Sequence, residues 1–218
     1  MRTIDAIRLK HEAATGTVVR MIRLATPADA EAMAEIYRPI VADTAISFEF
    51  EPPGAPEMER RRAAALAFAP WLVFEDGVVL GYAYASRHRE RAAYQWCVDV
   101  SVYVGQRHRR RGVGRALYES LLALLRLQGF YAAHAGVTLP NDASVGLHES
   151  LGFRRIGIYP AVGYKRGTWW DVGWWQLELR ERKGTPAPPR TLAEAQQQSG
   201  WQAALRAGES ALPVSRDA

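Results

Sequence analysis

The sequence of 218 residues lacks several features that would each define a class of protein. Its single cysteine, Cys97, excludes an intrachain disulfide framework and a zinc cluster built from several cysteines. There is no run of about 18 apolar residues, so we expect no membrane-spanning helix and no membrane partner. The first residues include Asp5 and Glu12 and have no apolar core of the kind found in signal peptides. We therefore expect a cytoplasmic protein.

A strong excess of one charge is also missing. The 28 Lys and Arg residues and the 23 Asp and Glu residues give a formal net charge of +5. The densest basic cluster runs from Arg107 to Arg111 and ends at Arg115, and it contains glycines but no Phe, Tyr or Trp. Single-stranded nucleic acids need aromatic side chains on which bases can stack. The cluster therefore favours a phosphate-rich small ligand over a nucleic acid.

Hydrophobic periodicity and turn residues predict a regular series of elements. Thr26 and Pro27 begin a helix, Asp76-Gly77 makes a tight turn between two strands, and Gly129 ends a later helix. A run of strands precedes an alternation of helices and strands, which predicts a mixed sheet with helices on both faces. The predicted order is a strand around 21, helices from 27 and at 56–67, strands at 71–75, 78–86 and 94–104, a helix at 114–128, a strand at 132–137, a helix at 141–151, and strands at 153–159 and 169–179.

The composition divides the chain into three parts. Residues 1–18 are predicted to be a mobile N-terminal extension, and residues 19–182 form the folded domain. The segment 183–218 begins with a Pro-rich linker at 185–189. Thr191 and Glu194 have the spacing of a capping box, so we expect one short helix there and an otherwise mobile tail.

The segment 102–115 has the pattern of a phosphate-binding loop. It runs from a Val-Tyr-Val strand through the basic cluster to a helix, with Gly112 and Gly114 at the helix start. Backbone N–H groups at a helix N-terminus bind pyrophosphate, and glycines let the backbone come close to it. A P-loop NTPase and a Rossmann nucleotide site are both disfavoured, because neither glycine motif is present.

These residues resemble the acetyl-CoA motif of the GNAT acetyltransferase superfamily, in which Arg109-x-x-Gly112-x-Gly114 follows the strand. The stretch from Asn141 to Phe153 resembles the second motif of the same superfamily. A closer resemblance is to the phosphinothricin and methionine sulfoximine N-acetyltransferases. Its marks are Ser101-Val-Tyr-Val104, Leu139-Pro-Asn-Asp142, Leu147-His-Glu149, Leu151-Gly-Phe153, Gly163-Tyr-Lys165, Trp169-x-Asp171-Val and Trp175-Gln176, and together they span about residues 21–181.

The resemblance implies an α/β (α+β) fold of the GNAT type, with a mixed, mostly antiparallel central sheet and helices on both faces. It also implies acetyl-CoA as co-substrate and no metal. Strand edges would pair with the pantetheine arm, and the basic loop would wrap the pyrophosphate. The implied acetyl-CoA ligands are Val102, Tyr103, Val104, Arg109, Arg110, Arg111, Gly112, Val113, Gly114, Arg115, Asn141 and Ser144.

Two catalytic residues are implied by the same resemblance. His148 occupies the position where many superfamily members have the Tyr that protonates the leaving thiolate. Asp99 occupies the position of a carboxylate, usually Glu, that serves as general base. Asp is one methylene shorter, so we expect it to reach the amine through a water, although the roles of Asp99 and His148 could be exchanged. Cys97 is interpreted as a small strand residue and not as a nucleophile.

Acceptors in this subgroup are amino acids with a carboxylate and a polar tetrahedral side chain, and such anions call for arginine. The implied acceptor-binding residues are Phe48, Glu49, Arg87 and Arg89, and Arg89 is the stronger candidate for the anionic group. The family commonly dimerises across its closing strands, so we expect a homodimer.

The sequence leaves other functions open. A GNAT enzyme could acetylate a polyamine, a protein N-terminus or an aminoglycoside instead. A non-catalytic acyl-CoA sensor is also open, because Asp99 departs from the usual Glu.

Overall fold

The structure is a computed structural model that describes residues 20–211, so the extension predicted at 1–18 lies outside the described residues. Seven strands form one sheet in the order β1-β2-β3-β4-β5-β7-β6. Every neighbouring pair is antiparallel except β4 and β5, which confirms the mixed, mostly antiparallel sheet. The strands are β1 (Met21–Leu24), β2 (Trp71–Asp76), β3 (Val78–Arg87), β4 (Cys97–Val104), β5 (Ala132–Leu139), β6 (Arg154–Lys165) and β7 (Thr168–Glu178).

Helices cover both faces of this sheet because the strands alternate their buried side chains. In β2, Leu72 and Phe74 belong to one apolar cluster, whereas Trp71 and Val73 belong to the other. The first cluster contains the apolar side chains of α3 (Val113–Gln128) and of the segment around α4 (Asp142–Ser150). The second contains those of α1 (Ala30–Asp43) and α2 (Ala55–Ala65). In the part of the chain that the structure covers, no helix is long and apolar enough to cross a membrane.

The observed elements follow the predicted order, with differences at their ends. The hairpin at Asp76-Gly77 is confirmed, and Gly77 has a φ of 71°. The strand predicted from Tyr94 begins only at Cys97, because Ala92–Tyr94 forms a 3-10 turn. Strand β6 extends to Lys165, beyond its predicted end, and forms a long hairpin with β7.

The C-terminal segment differs most from the prediction. Instead of one helix in a mobile tail, the structure has α5 (Leu192–Gln196) and α6 (Trp201–Leu205), and both pack against α3. The capping box of Thr191 and Glu194 is present as predicted. Leu192 and Trp201 are buried in the larger apolar cluster, which explains why this segment is held on the domain.

Candidate active site

A cleft opens in the middle of the sheet where β4 and β5 separate. The two strands pair only at Cys97–Ala132, Val98–Ala133 and Asp99–His134. Both continue well beyond this point, β4 to Val104 and β5 to Leu139. Strand edges that have no strand partner can hydrogen-bond an extended ligand as an added strand would. The residues that line the cleft include Val100, Ser101, Val102, Tyr103, Gly136, Val137, Thr138, Asn141, Ser144 and His148.

The basic loop between β4 and α3 ends at one mouth of this cleft. Gly112 is the N-cap of α3 and has a φ of 83°, a conformation that glycine adopts without strain. The side chains of Arg109, Arg110 and Arg111 are exposed beside the N-terminus of the helix. Arginines and free N–H groups together suit a pyrophosphate. Arg115, also predicted to bind phosphate, donates hydrogen bonds to Glu119 and to the Ser150 hydroxyl in this structure.

The opposite wall of the cleft carries His148 on α4. The Asn141 side chain caps this helix by accepting a hydrogen bond from the Ser144 N–H at 3.2 Å. Nδ1 of His148 lies 2.7 Å from the Ser144 carbonyl oxygen, which can only accept, so Nδ1 carries the hydrogen. Nε2 then accepts a hydrogen bond from the Tyr118 hydroxyl at 3.0 Å. Burial lowers the pKa of His148, which keeps the ring neutral.

Asp99 lies at the last paired position before the strands separate. Its Oδ1 atom is 2.6 Å from Nδ1 of His88, which belongs to the segment that follows β3. The His88 ring stacks on the ring of His134, with centroids 4.3 Å apart and planes inclined by 19°. Burial raises the pKa of Asp99, and the hydrogen bond from His88 acts in the opposite direction. The predicted base therefore has an imidazole in direct contact with it.

The predicted acceptor residues Phe48 and Glu49 lie in the loop between α1 and α2. Glu49 accepts two hydrogen bonds from Arg61, at 2.8 and 2.9 Å, and one from the Tyr37 hydroxyl at 2.9 Å.

The same loop also contacts the β6–β7 hairpin, where the Phe48 ring packs directly over Gly163 of β6. The buried Nζ of Lys165 donates to the Val41 and Ser47 carbonyl oxygens and ties the loop to β6. Glu49 thus holds the loop through Arg61, and Phe48 fixes its position on the hairpin.

The two arginines predicted to bind the acceptor lie at different cavities. Arg87 stacks on Phe68 at 4.4 Å and lines a cavity of about 440 Å³ together with Tyr84 and Arg61. Arg89 lies 5.9 Å from the Trp174 ring centroid and lines a cavity of about 210 Å³ together with His88 and His134. Only the second cavity contains histidines that face Asp99, which makes Arg89 the better placed of the two.

Three residues at the site were not identified from the sequence. Tyr118 is a buried position in the apolar pattern of α3, and no motif distinguishes it. His88 lies among charged residues that resemble a solvated turn, and His134 is a lone polar residue in an apolar strand. Both strands were predicted, but the register that brings His134 beside Asp99 was not.

The fold and this cleft define a class of protein. The sheet parts between two parallel strands, and a glycine-arginine loop lies at one end of the gap. Residues 30–153 match the model of the acetyltransferase (GNAT) family. The chain belongs to this family and is an acetyl-CoA-dependent acyltransferase.

Individual relatives show which members of the family this chain resembles. The chain is 42% identical to a phosphinothricin N-acetyltransferase of Streptomyces viridochromogenes over 172 residues, which cover 78% of this chain and 92% of the relative. It is 36% identical to the L-methionine sulfoximine/L-methionine sulfone acetyltransferase of Salmonella typhimurium over 171 residues, 76% of this chain and 98% of the relative. The phosphinothricin acetyltransferase of Sinorhizobium meliloti, solved with acetyl-CoA, superimposes with a TM-score of 0.74 at 34% identity, covering 77% of this chain and 93% of that one. The resemblance to this subgroup is confirmed.

Proposed function

We propose that the protein transfers the acetyl group of acetyl-CoA directly to the primary amine of a small amino-acid-like acceptor, of the phosphinothricin or methionine sulfoximine type, in a ternary complex. The observation that carries this proposal is the position of Asp99. It stands at the point where β4 and β5 part, so a base and an open strand edge meet there. The relatives named above support the class of acceptor.

The residues at the cleft fit acetyl-CoA. The unpaired edge of β4 from Val100 to Val104 suits a pantetheine arm, and the N-terminus of α3 with its arginines suits the pyrophosphate. Acetyl-CoA would supply an activated thioester carbonyl. A backbone N–H near Val102 is then available to stabilise the developing oxyanion.

Two sets of residues at the cleft handle protons. At the Asp99 end, the acceptor ammonium loses a proton so that its lone pair can attack. On the α4 wall, the Tyr118 hydroxyl donates to Nε2 of His148, and the same O–H would turn to donate a hydrogen bond to the departing thiolate. Cys97 takes no part, because burial raises the pKa of its thiol and so disfavours the nucleophilic thiolate. Direct transfer therefore needs no acyl-cysteine.

Recognition of the acceptor involves Arg89. Its guanidinium is permanently charged and lines the same cavity as His88, His134 and Trp174. A carboxylate or phosphinyl group bound by Arg89 would place the amine of the same small molecule near Asp99. This arrangement disfavours polyamine acceptors, which carry no anionic group.

We also propose a homodimer. Apolar side chains are exposed along the β6–β7 hairpin, including Ile156 at 57%, Val162 at 51% and Trp169 at 63%. An exposed apolar stripe of this kind marks a surface for protein association. The hairpin is also where Phe48 and Lys165 hold the loop between α1 and α2, so a partner there would lie close to the acceptor cavity.

Release of free CoA thiol, followed with a chromogenic disulfide reagent, tests the function. The acceptors are phosphinothricin, methionine sulfone, methionine sulfoximine, spermidine and a short peptide. We expect release with the first three, a rise in the acceptor KM in Arg89→Ala, and full activity in Cys97→Ser. Release with spermidine or the peptide alone would contradict the acceptor class. Acetyl-CoA binding without release from any acceptor would favour a sensor.

A further inference from the structure

The side chains of His88, Asp99 and His134 meet where the acceptor amine must lose its proton. Asp99 is paired with Ser86 of β3 on one side and with His134 of β5 on the other. His88, two residues beyond Ser86, turns back so that its Nδ1 atom lies 2.6 Å from Oδ1 of Asp99. Three separate segments therefore bring two imidazoles and one carboxylate together. The resemblance to the subgroup assigns a role to Asp99 alone.

The hydrogen-bond pattern determines which atom of His88 is free. A carboxylate accepts and does not donate, so Nδ1 of His88 carries the hydrogen that faces Asp99. The lone pair of the neutral ring then lies on Nε2, on the far side of the imidazole. About 15% of the His88 side chain is exposed, and it lines the 210 Å³ cavity that also contains Arg89. A base is thus available at a greater distance from the β4 backbone than Asp99 can reach.

A metal ion is a different use of the same three residues, since their ligand atoms lie within 4.8 Å of one another. Two features of the geometry oppose it. An imidazole binds a metal in the plane of its ring, and the rings of His88 and His134 are stacked at only 19°, so their lone pairs do not converge. The 2.6 Å contact of His88 with Asp99 is also shorter than the spacing of about 3.3 Å between ligand atoms of a tetrahedral zinc site.

We propose that His88 is the general base of the acetyl transfer and that Asp99 is the positioning residue that holds it; this inference rests on the proposed function. Nε2 of His88 removes one proton from the acceptor ammonium. The amine lone pair forms the new C–N bond at the thioester carbonyl, and the C–S bond breaks as the tetrahedral intermediate collapses. The amine nitrogen loses its second proton to the departing thiolate, and His88 releases the first to solvent. The products are the N-acetyl amino acid, free CoA thiol and one proton.

The surroundings of His88 suit a base that becomes a cation during turnover. Asp99 offsets the charge through the hydrogen bond on Nδ1. His134 is stacked on the ring, and burial lowers its own pKa, so it stays neutral.

The aromatic side chains of Tyr94 and Trp174 approach the His88 ring edge-on at centroid distances of 6.0 and 6.2 Å. Arg89 and Tyr159 line the same cavity as His88, and Arg89 is the permanent cation that the acceptor anion would neutralise.

The first experiment measures kcat/KM against pH for the full-length protein, with the acceptor that the thiol-release assay identifies. We expect the rate of the wild-type protein to reach a plateau as the pH rises, once the base is fully deprotonated. In His88→Phe we expect a loss of about 10²-fold or more at pH 7 and a rate that keeps rising with pH, because only the free amine fraction reacts. His134→Asn removes only the ring stacked on His88, so we expect a smaller loss than in His88→Phe and the same pH profile as the wild-type protein.

Two rescues separate a base from a structural residue. Added imidazole should restore part of the activity of His88→Ala and none of that of His148→Gln. The double variant His88→Phe/Asp99→Glu should recover most of the activity lost in His88→Phe, because the longer carboxylate then reaches the amine by itself. The melting temperature and the affinity for acetyl-CoA, measured for each variant, should stay close to those of the wild-type protein.

The outcomes are distinguishable. A wild-type protein that releases no thiol with any acceptor defeats the proposed function itself. If the wild-type protein is active and His88→Phe has an equal rate and the same pH profile, the proposed role of His88 is wrong and the proposed function still stands. Loss of activity with 1,10-phenanthroline, restored by zinc, would overturn the base in favour of a metal. We expect activity to be unaffected by the chelator.

Discussion

The hydroxyl group of Tyr118 lies 3.0 Å from Nε2 of His148, and this contact joins α3 to α4 at the wall of the cleft. Burial raises the pKa of Tyr118 and lowers that of His148, so both groups are neutral around pH 7. If the Tyr118 O–H turns from Nε2 of His148 to a leaving thiolate, the pair donates a hydrogen without a charge that would have to be buried. The two side chains therefore act as one unit.

Replacement of either member should affect departure of the thiolate and not binding of acetyl-CoA. We expect His148→Gln to lower kcat by about 10²-fold, as is usual for loss of a group that handles a proton. Tyr118→Phe removes a hydrogen bond worth about 1 kcal/mol, so we expect a fall of about fivefold. Steady-state kinetics with varied acetyl-CoA measures both. Equal kcat values in wild-type and His148→Gln proteins would contradict the role of the pair.

The sequence contains the signals for the phosphate loop but not for the pair. Gly112 and the arginines are neighbours in the chain, so their spacing alone predicted the loop. Tyr118 and His148 are 30 positions apart, and their contact depends on the angle between two helices. His88 and Asp99 meet only because the chain turns back after β3. Local patterns therefore predicted the elements, whereas contacts between elements required the structure.

The conformation of Gly112 should determine the affinity for acetyl-CoA. Its φ of 83° is in the left-handed region, where an L side chain costs about 1–2 kcal/mol. Gly112→Ala should therefore shift the loop and weaken acetyl-CoA binding by about tenfold, measured by isothermal titration calorimetry. Gly146→Ala is the control, because a Cβ at this exposed position on α4 meets nothing within 4 Å. An unchanged Kd in Gly112→Ala would show that the loop does not contact the co-substrate.

Phe48 should control access of the acceptor. A Cβ at Gly163 would come within about 2.1 Å of the Phe48 ring, so Gly163→Ala must displace it. We expect a higher acceptor KM and an unchanged KM for acetyl-CoA. Gly54→Ala lies at the end of the same loop and has only an ordinary contact, with Pro56 at 3.7 Å, so it should leave both constants unchanged. A rise in both KM values would instead indicate a general loss of structure.

Two buried histidines should make stability depend on pH. Burial lowers the pKa of His134 and His148 in the folded state, whereas the unfolded chain titrates near 6.5. Their contribution is complete above about pH 6.5 and falls as the pH decreases, by at most about 1.4 kcal/mol per pH unit for each histidine. Hydrogen bonds from Arg61 lower the pKa of Glu49 below 4.5, so its contribution is lost only at still lower pH.

Urea unfolding between pH 8 and pH 4 measures this dependence. We expect the free energy of unfolding to decrease between pH 6.5 and pH 5 in the wild-type protein and to be flatter there in His134→Asn/His148→Gln. Glu49→Gln should change the profile below pH 4.5 and leave the region above pH 5 as it is. A wild-type protein whose stability is constant down to pH 5 would show that the histidines are protonated at no cost.

The C-terminal segment should contribute to the stability of the domain. A Cβ at Gly208 would lie 1.8 Å from the Ala116 carbonyl oxygen of α3, and the Gly208 N–H donates to the buried Ser120 hydroxyl at 3.0 Å. Since the atom in the way belongs to a helix backbone, Gly208→Ala must push the segment off α3. Trp201, which is 6% exposed, would then lose its place in the core.

We expect Gly208→Ala to lower the melting temperature by several degrees, and Trp201→Ala to cost about 3 kcal/mol or more, as for other buried aromatic residues. Gly200→Ala is the matched control, because a Cβ there makes an ordinary 3.5 Å contact with Leu127. Differential scanning calorimetry of the three variants gives the comparison. Because the segment lies on the α3 face and the acceptor cavity on the other, thiol release below the melting temperature should be the same in all three. If Gly208→Ala melts like the wild-type protein, the segment does not hold to α3 in solution.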